Sequence, residues 1–271
     1  MPARATALRP VGTVTRGTTN PNRLRRMDRW IAVTHGAELR RAADPVAVDL
    51  GYGAAPWTAV ELLGRLRGVA PHARVVGVEI DPARVSAAEP YARAGLDFRH
   101  GGFEVPVSRP PLLIRAANVL RQYDEAEVAA VWQRLCARLA PASEHSRGGL
   151  LVEGTCDEIG RRHVWVALGP EGPRTVTLAT RLSSLDRPSD LAERLPKALI
   201  HRNVPGEPVH AFLRDFDHAW AAAAPYASYG ARQRWMRAVR DLTSGWPVTD
   251  GPARWRQGEV TVAWEALAPR A

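Results

Sequence analysis

The chain has 271 residues, of which 45% are hydrophobic and 24% are charged, an ordinary composition for a globular protein with a sizeable core. No apolar run approaches the ~20 residues that span a bilayer, which excludes a transmembrane class, and the first ten residues lack the apolar stretch of a secretory signal. The two cysteines, Cys136 and Cys156, form no C-x-x-C pair. We therefore expect neither a metal site nor a disulfide framework, and a reducing, cytoplasmic setting.

The net charge of +9 is concentrated at the N-terminus. Residues 1–41 hold nine arginines against Asp28 and Glu38, a net charge of +7, which leaves only +2 for the rest of the chain. Lys197 is the sole lysine, so the arginine bias resembles a property of the whole composition more than of a phosphate-binding face. We therefore expect a small-molecule partner and disfavour nucleic acid, while an RNA-binding role for the N-terminal arm stays open.

Strands and helices alternate over the first half of the chain. Residues 1–20 are polar and aperiodic, which predicts a mobile basic arm, and helical spacing predicts a helix within residues 22–41. Short apolar runs predict strands at residues 45–50, 73–80, 97–100, 111–115 and 149–154. Helices are predicted at residues 57–66, 82–94 and 125–139, the second of them capped by Asp81. This order predicts a parallel sheet whose ligands bind at the carboxyl ends of its strands.

The pattern changes after Gly154. Alternating apolar residues predict a hairpin of strands at residues 163–168 and 174–180, and a last strand at residues 259–264. Amphipathic helices are predicted between them, at residues 209–224 and 231–242. We interpret residues 21–180 as the sheet domain, and residues 181–271 as a helical elaboration and last strand packed on the same domain.

The turn after the first of these strands reads Asp49-Leu50-Gly51-Tyr52-Gly53. Glycine suits a strand that reverses into a helix within a few residues, because it adopts a positive φ and lets a ligand approach the backbone. Glu79 ends the next strand, where a carboxylate can accept hydrogen bonds from both hydroxyls of a ribose. The two features together predict a ribose-containing ligand at this edge of the sheet.

Three segments resemble motifs of the class I methyltransferases that depend on S-adenosyl-L-methionine (SAM). Residues 48–53 (VDLGYG) resemble motif I, and residues 76–81 (VGVEID) resemble the ribose-binding strand end. Residues 139–141 and 148–152 resemble the entry to the family's fifth strand, here interrupted by residues 142–147. The resemblance covers roughly residues 45–155. It implies an α/β fold with a Rossmann-like, doubly wound and mostly parallel seven-stranded sheet, here with a C-terminal helical elaboration.

The resemblance also implies a SAM site. Gly51 and Gly53 would approach the amino-acid part of SAM, and Glu79 would bind the ribose. The other cofactor-binding residues that it implies lie at the same strand ends and are Asp49, Tyr52, Ile80, Gly102, Phe103 and Asn118. Ile80 would pack on the adenine. Gly102 stands where the family often has an Asp that contacts the adenine amine, so a backbone N–H would have to serve there.

The same turn distinguishes SAM from a dinucleotide. Pro56 stands where the dinucleotide-binding fingerprint G-x-G-x-x-G has its third glycine. Asp49 would repel a pyrophosphate but would suit an amino group. The sequence therefore favours SAM over NAD.

Polar residues follow the fourth and fifth predicted strands. In the family the end of the fourth strand lies beside the transferred methyl group, so Arg115 and Asn118 are the predicted catalytic residues. We expect Arg121, Glu153 and His201 to contact the acceptor. The sequence thus predicts a SAM-dependent methyltransferase for a small-molecule or protein acceptor. An RNA methyltransferase that uses the basic arm, and a non-catalytic module that binds SAM or a nucleotide, remain as alternatives.

Overall fold

The computed structural model describes residues 10–15 and 20–270. Within these residues, eight strands form one sheet: β1 (Val46–Leu50), β2 (Arg74–Glu79), β3 (Leu96–His100), β4 (Leu113–Ala117), β5 (Leu150–Cys156), β6 (Arg162–Gly169), β7 (Gly172–Thr180) and β8 (Glu259–Ala263). Their spatial order is β3-β2-β1-β4-β5-β6-β7-β8. Of the predicted mobile arm, residues 1–9 and 16–19 lie outside the described residues.

The first five strands form the parallel half of the sheet. β1 pairs with β2 on one side and with β4 on the other, so the chain order reverses at β1, the kind of switch point where α/β sheets bind ligands. From β5 onward the pairings are antiparallel. The α/β class and the mostly parallel Rossmann-like sheet are confirmed. The sheet has eight strands rather than seven, because β8 pairs along β7 and extends the edge.

In the described part of the chain, eight α-helices accompany the sheet: α1 (Arg25–Arg41), α2 (Trp57–Arg67), α3 (Pro82–Ala88), α4 (Glu125–Cys136), α5 (Lys197–Ile200), α6 (Pro208–Ala222), α7 (Ala231–Leu242) and α8 (Pro252–Trp255). Successive strand residues point to opposite faces. Ala47 and Val75 accordingly belong to a buried cluster with α1 and α2, while Val48 and Val76 belong to a second cluster with α4, α6 and α7. The sheet is therefore covered on both faces, as doubly wound sheets are.

Several element boundaries differ from the predicted ones. α3 ends at Ala88 rather than at residue 94, because Pro90 lacks an N–H and falls in a short 3-10 turn, Glu89–Tyr91. β4 ends at Ala117 and β5 at Cys156, two residues later than predicted in each case. Both shifts lengthen the strands toward the ligand-binding edge.

The region after β7 forms a helical layer. α6 and α7 pack together through Phe216 and Trp235, whose ring centroids are 5.0 Å apart. Both side chains belong to the same buried cluster as Val176 of β7 and Val260 of β8. No helix in the described part of the chain is both long enough and apolar enough to span a bilayer.

Candidate cofactor pocket

A glycine turn joins β1 to α2 at the switch point. Gly51 and Gly53 have φ angles of 67° and 85°, in the left-handed region that favours glycine. The Gly51 N–H donates to the Val78 carbonyl at 2.7 Å, which fixes the turn against β2. A Cβ on Gly51 would lie only 2.9 Å from Cγ2 of Val119. At Gly51 and Gly53, therefore, no side chain covers the backbone at this edge of the sheet.

Glu79 is the last residue of β2, and only 1% of it is exposed. Its Oε2 accepts from the Gly53 N–H at 3.0 Å. Its Oε1 accepts from the N–H groups of Ile80 at 2.9 Å and Asp81 at 3.3 Å. Arg84 Nη1 lies 3.7 Å from Oε2. Three backbone donors thus hold the carboxylate in one orientation beside the glycine turn.

One pocket opens between the glycine turn and Glu79. Five of the residues predicted to bind the cofactor line it, namely Gly51, Glu79, Ile80, Gly102 and Phe103. Tyr52 lies outside it: its ring packs edge-on against Phe98, with the centroids 5.4 Å apart, and its hydroxyl donates to the Arg84 carbonyl. Burial raises the pKa of the Tyr52 phenol. The structure therefore places Tyr52 in the packing beneath the turn.

Glu104 was not predicted as a site residue, yet its carboxylate contacts two residues that line this pocket. Its Oε1 accepts from the Gly102 N–H at 2.8 Å, and its Oε2 accepts from the Val11 N–H at 2.8 Å. It follows by two residues the position at which the family often carries its adenine-binding Asp. An acid so near that position was the signal that could have identified it.

The N-terminal segment, residues 10–15, crosses the same pocket. The Phe103 N–H donates to the Val11 carbonyl at 2.8 Å. The Thr13 N–H donates to the Tyr123 hydroxyl at 2.6 Å. The segment is thus tied to the loops that follow β3 and β4. The sequence placed these residues in a basic arm and gave no signal of such contacts.

Thr15 reaches the centre of the pocket. Its hydroxyl donates to Oε2 of Glu79 at 3.5 Å, and Arg84 Nη1 donates to the Thr15 carbonyl at 3.0 Å. With the segment in place, the pocket keeps about 20 Å³ of free volume. Ligand pockets commonly measure roughly 300–1,000 Å³, so a nucleoside fits here only after the segment moves.

Arg115 was predicted to be catalytic, and the structure places it elsewhere. It is fully buried inside the sheet, where Nε donates to Asp49 Oδ1 at 3.0 Å and Nη1 donates to Asp28. Nη2 donates to the Thr58 carbonyl at 2.8 Å, and the Thr58 hydroxyl donates to Asp49 Oδ2 at 2.6 Å. Burial raises the pKa of Asp28 to about 6, against the opposing charge of Arg115.

This network corrects two expectations. Arg115 lies two residues inside β4 rather than at its end, and all three of its guanidinium nitrogens are engaged. Asp49, predicted to face the amino group of SAM, is 2% exposed and is paired with Arg115 instead. Neither residue lines the pocket. Their role in the structure is to join α1, β1 and β4.

Asn118 follows β4 directly and has a φ of 61°, a conformation that asparagine tolerates better than most residues. Its Oδ1 accepts from the Cys156 N–H at 2.9 Å, and its Nδ2 lies 3.2 Å from Cys156 Sγ. Burial raises the pKa of the Cys156 thiol. Asn118 therefore joins the ends of β4 and β5, immediately before Val119, which lines the pocket.

The three predicted acceptor residues do not line the pocket. Glu153 is fully buried within β5, neither of its oxygens has a hydrogen-bond partner among the described residues, and burial raises its pKa to about 8. Arg121 donates to the Glu193 carbonyl at 3.0 Å. His201 is exposed at the carboxyl end of α5. The structure thus does not bring these three residues to the pocket, and no hydrogen bond or ion pair among the described residues joins any two of them.

No protein-family model matches the chain, and no curated protein matches its sequence. Solved structures that it resembles include human N-acetylserotonin methyltransferase in complex with SAM, with 20% identity over 46% of this chain and 35% of that chain (TM-score 0.32). Another is SAM-bound CalS10, an amino pentose methyltransferase from Micromonospora echinaspora, with 19% identity over 57% and 64% of the two chains (TM-score 0.32). A third is the sugar N-methyltransferase KedS8 from Streptoalloteichus, with 18% identity over 66% and 73% (TM-score 0.35).

All three structures are methyltransferases, and two of them hold SAM. The likeness is one of fold over part of each chain, and this chain spans about a third of the human enzyme. The residues of this chain's own pocket therefore have to indicate which ligand it binds.

Proposed function

We propose that the chain is a SAM-dependent methyltransferase. The observation that carries the proposal is the Glu79 carboxylate, held by backbone donors at the end of β2 and in contact with the glycine turn after β1. A carboxylate in that place can accept two ribose hydroxyls, and the bare turn admits the rest of a nucleoside. The motif resemblance, and Pro56 in place of the third dinucleotide-binding glycine, favour SAM as that nucleoside.

The donors of the N-terminal segment support the fit of SAM to this pocket. The Thr15 hydroxyl donates to Glu79 at the place where a ribose hydroxyl would bind. At 3.5 Å, this is the longest hydrogen bond to that carboxylate. The Val11 N–H donates to Glu104 at the place where the adenine amine would bind. Gly51, Glu79, Ile80, Phe103 and Glu104 would therefore hold the cofactor after the segment withdraws.

When bound, SAM supplies a methyl group that its sulfonium has already activated, so the protein's task is to position the acceptor. Asn118 is the predicted catalytic residue that remains near this place, and we propose that it acts as a positioning residue. Its amide fixes the ends of β4 and β5 against each other beside the pocket. A small-molecule or protein acceptor stays a prediction from the sequence.

The decisive experiment is calorimetric titration of the full chain with SAM and, in parallel, with NADH. We expect micromolar SAM binding and no NADH binding. Glu79→Gln keeps the volume but removes the charge that strengthens two hydrogen bonds, so SAM affinity should fall at least tenfold. Asp81→Asn is the matched control, because asparagine also caps α3 and the change lies two residues away; it should alter the affinity less than twofold.

Two results would overturn the cofactor assignment. One is the absence of SAM binding by a folded protein, and the other is NADH binding that Glu79→Gln abolishes. The acceptor class is tested by incubation with methyl-labelled SAM and the separated small-molecule, protein and RNA fractions of a cell extract. Label in the first or second fraction supports the proposal, while label in RNA alone would replace it with the RNA methyltransferase alternative. Tight SAM binding without label in any fraction would indicate the non-catalytic module.

A further inference from the structure

Two adjoining cavities lie between the N-terminus of α1, the end of β7 and one side of α7. Their empty volumes, open mouths included, are about 840 and 810 Å³. The two cavities share Arg232 and Arg256 in their walls. Seven arginines line them: Arg26, Arg29, Arg181, Arg232, Arg237, Arg240 and Arg256. Among the described residues of their walls, none is acidic. We call this feature the arginine groove.

The arginine groove is large enough for an extended ligand. Without the solvent-open mouths, the cavity beside β7 measures about 420 Å³ and the one along α7 about 350 Å³. Neither cavity has Gly51 or Glu79 in its walls, so the groove is separate from the cofactor pocket. Because Arg232 and Arg256 line both cavities, the two lie side by side.

Much of the positive charge in the groove is uncompensated. Within the described part of the chain, the side chains of Arg29, Arg232, Arg240 and Arg256 make no hydrogen bond and no ion pair. The nearby acids are already engaged, since Asp241 pairs with Arg237 at 3.0 Å and Glu259 pairs with Arg254. Arginine forks without partners are suited to bind phosphate oxygens.

At the inner end of the groove, positively charged side chains lie close together and repel one another. Burial, followed by the neighbouring charges of Arg29 and Arg25, lowers the pKa of Arg26 to about 10. Arg26 is nevertheless fixed in place, because it donates to the carbonyls of Gly160 and Gln257. An anion bound here would relieve the repulsion among these guanidinium groups.

Aromatic side chains stand beside the arginines. Tyr226 lines the cavity along α7 and is 40% exposed, and Tyr229 is 77% exposed. Both lie in the 3-10 turn Ala224–Tyr229, in which residues three apart face the same side. Tyr229 should therefore face the same side as Tyr226. A positive groove with exposed aromatic rings is the combination by which proteins bind single-stranded nucleic acids.

We propose that the arginine groove binds single-stranded RNA. Arginines spread along the groove can follow successive backbone phosphates, and the two tyrosines can stack on bases. The polar side chains of Ser183, Gln233 and Gln257 also line it and can pair with 2′-hydroxyls, which distinguish RNA from DNA. The proposal goes beyond the proposed methyltransferase activity and does not depend on it.

The position of the groove relates it to the cofactor pocket. Thr180, at the end of β7, lines the groove and lies at the same edge of the sheet as Gly51. β6 runs antiparallel to β5 and β7 antiparallel to β6, so β7 runs in the direction of β5 and ends at the same edge. β7 is four strands from β1 in the sheet. At about 4.8 Å a strand, the groove begins roughly 20 Å from the glycine turn. A bound strand could therefore extend along this edge toward the pocket.

The test is fluorescence anisotropy of a labelled twelve-nucleotide oligouridylate with the full chain at increasing salt. About four phosphate contacts should give a slope of roughly −3 for log K against log salt concentration. The variant Arg232→Ala/Arg240→Ala/Arg256→Ala should bind at least tenfold more weakly at low salt, with a slope that is shallower by about 2. Tyr229→Ala should weaken binding at least fivefold, with the slope unchanged.

The matched control removes the same charge from other surfaces, with Arg41→Ala/Arg109→Ala/Arg134→Ala. It should bind RNA within twofold of the wild type. An equal loss in both triple variants would overturn the groove, and so would the absence of RNA binding at low salt. Equal affinity for oligothymidylate would overturn the assignment to RNA. Binding to phosphatidylglycerol vesicles or pyrophosphate in place of RNA would likewise overturn it. Since no arm of the test uses SAM, its failure would leave the methyltransferase proposal standing.

Discussion

The ends of β1 and β2 and the ends of β4 and β5 lie along one edge of the sheet, but they present different chemistry. At the first pair, Glu79 is the final residue of its strand and three backbone N–H groups surround its carboxylate. At the second pair, Arg115 and Glu153 lie two and three residues before the strand ends and are fully buried. A polar side chain at the last position of a strand can serve a ligand, whereas one placed slightly earlier becomes part of the interior.

The two interior residues also differ from each other. Arg115 is matched by Asp28 and Asp49, so its charge is compensated where it is buried. Glu153 has no hydrogen-bond partner among the described residues, and its pKa is raised because burial disfavours the ionised form. Removal of Arg115 should therefore destabilise the folded protein, whereas neutralisation of Glu153 should stabilise it.

The largest expected effect comes from Arg115→Leu. The change leaves two buried carboxylates without their partner, a situation that typically costs about 3–5 kcal/mol of unfolding free energy. Urea unfolding at pH 7 measures the loss. Arg134→Leu, on the exposed side of α4, is the control and should change the stability by less than about 0.5 kcal/mol.

Arg115→Leu could prevent folding altogether, so a milder variant complements it. Thr58→Val removes only the hydroxyl that donates to Asp49 and should give a smaller loss of the same kind. If Arg115→Leu instead kept the wild-type stability and lost only methyl transfer, the structural role would be wrong and the catalytic prediction would be restored.

The second effect concerns Glu153→Gln and the pH dependence of stability. The native pKa of Glu153 is about 8, above the ordinary value of 4.5, so between these values the folded protein holds a proton that the unfolded chain releases. Wild-type stability therefore falls as the pH rises through this window, by up to about 1.4 kcal/mol per pH unit. Glutamine does not ionise, so the variant should lose this part of the slope and gain stability relative to the wild type from pH 5 to pH 7.5.

The buried His163 gives the stability of the protein a pH dependence of the opposite sign. Burial lowers the pKa of His163 to about 3, so its contribution to stability rises as the pH increases toward 6.5. This contribution is common to the wild type and Glu153→Gln, and it cancels in their difference. Glu158→Gln, at a side chain that is 72% exposed, should leave the wild-type profile unchanged. Parallel profiles for Glu153→Gln and the wild type would show that Glu153 is solvated or paired in solution.

The contrast between the two strand pairs explains which parts of the site could be predicted. The glycine turn and Glu79 are local signals, because one short stretch of sequence contains both the strand and the residue that ends it. The ends of β4 and β5 depend on pairing between strands: Ala117 pairs with Gly154, and the register extends each strand beyond its apolar run. Arg115 looked like the end of a strand only because apolar patterning stops before it.

The arginine groove could likewise not be predicted from the sequence, because its charges come together only in the folded chain. Arg26, Arg181 and Arg256 are far apart in the sequence, and the acids between them cancel their charge in any average. Folding places those acids elsewhere or pairs them, as Glu259 pairs with Arg254. The near-neutral composition beyond residue 41 therefore gave no indication of a basic surface. The eight-stranded order and the crossing of the pocket by residues 10–15 likewise depend on contacts between distant segments.

The smallest expected effect comes from Thr15→Val, which tests whether the N-terminal segment competes with the cofactor. The variant removes the hydroxyl that contacts Glu79 and keeps the shape of the side chain. Since one hydrogen bond contributes about 0.5–1.5 kcal/mol and this one is long, SAM affinity should rise by about two- to threefold. Thr13→Val is the control, because the Thr13 hydroxyl accepts from Gln122 and does not contact Glu79; it should leave SAM affinity unchanged.

The sign of the Thr15→Val effect is the informative quantity. A gain in affinity means that residues 10–15 occupy the place of the cofactor and must leave before SAM binds. A loss would mean that the Thr15 hydroxyl contacts SAM in the complex, so that the segment forms a wall of the finished site. In that case the free volume of about 20 Å³ would have to grow by movement of Phe103 or Tyr123, the two aromatic side chains that line it. Calorimetry on the three proteins, wild type, Thr15→Val and Thr13→Val, separates these two arrangements.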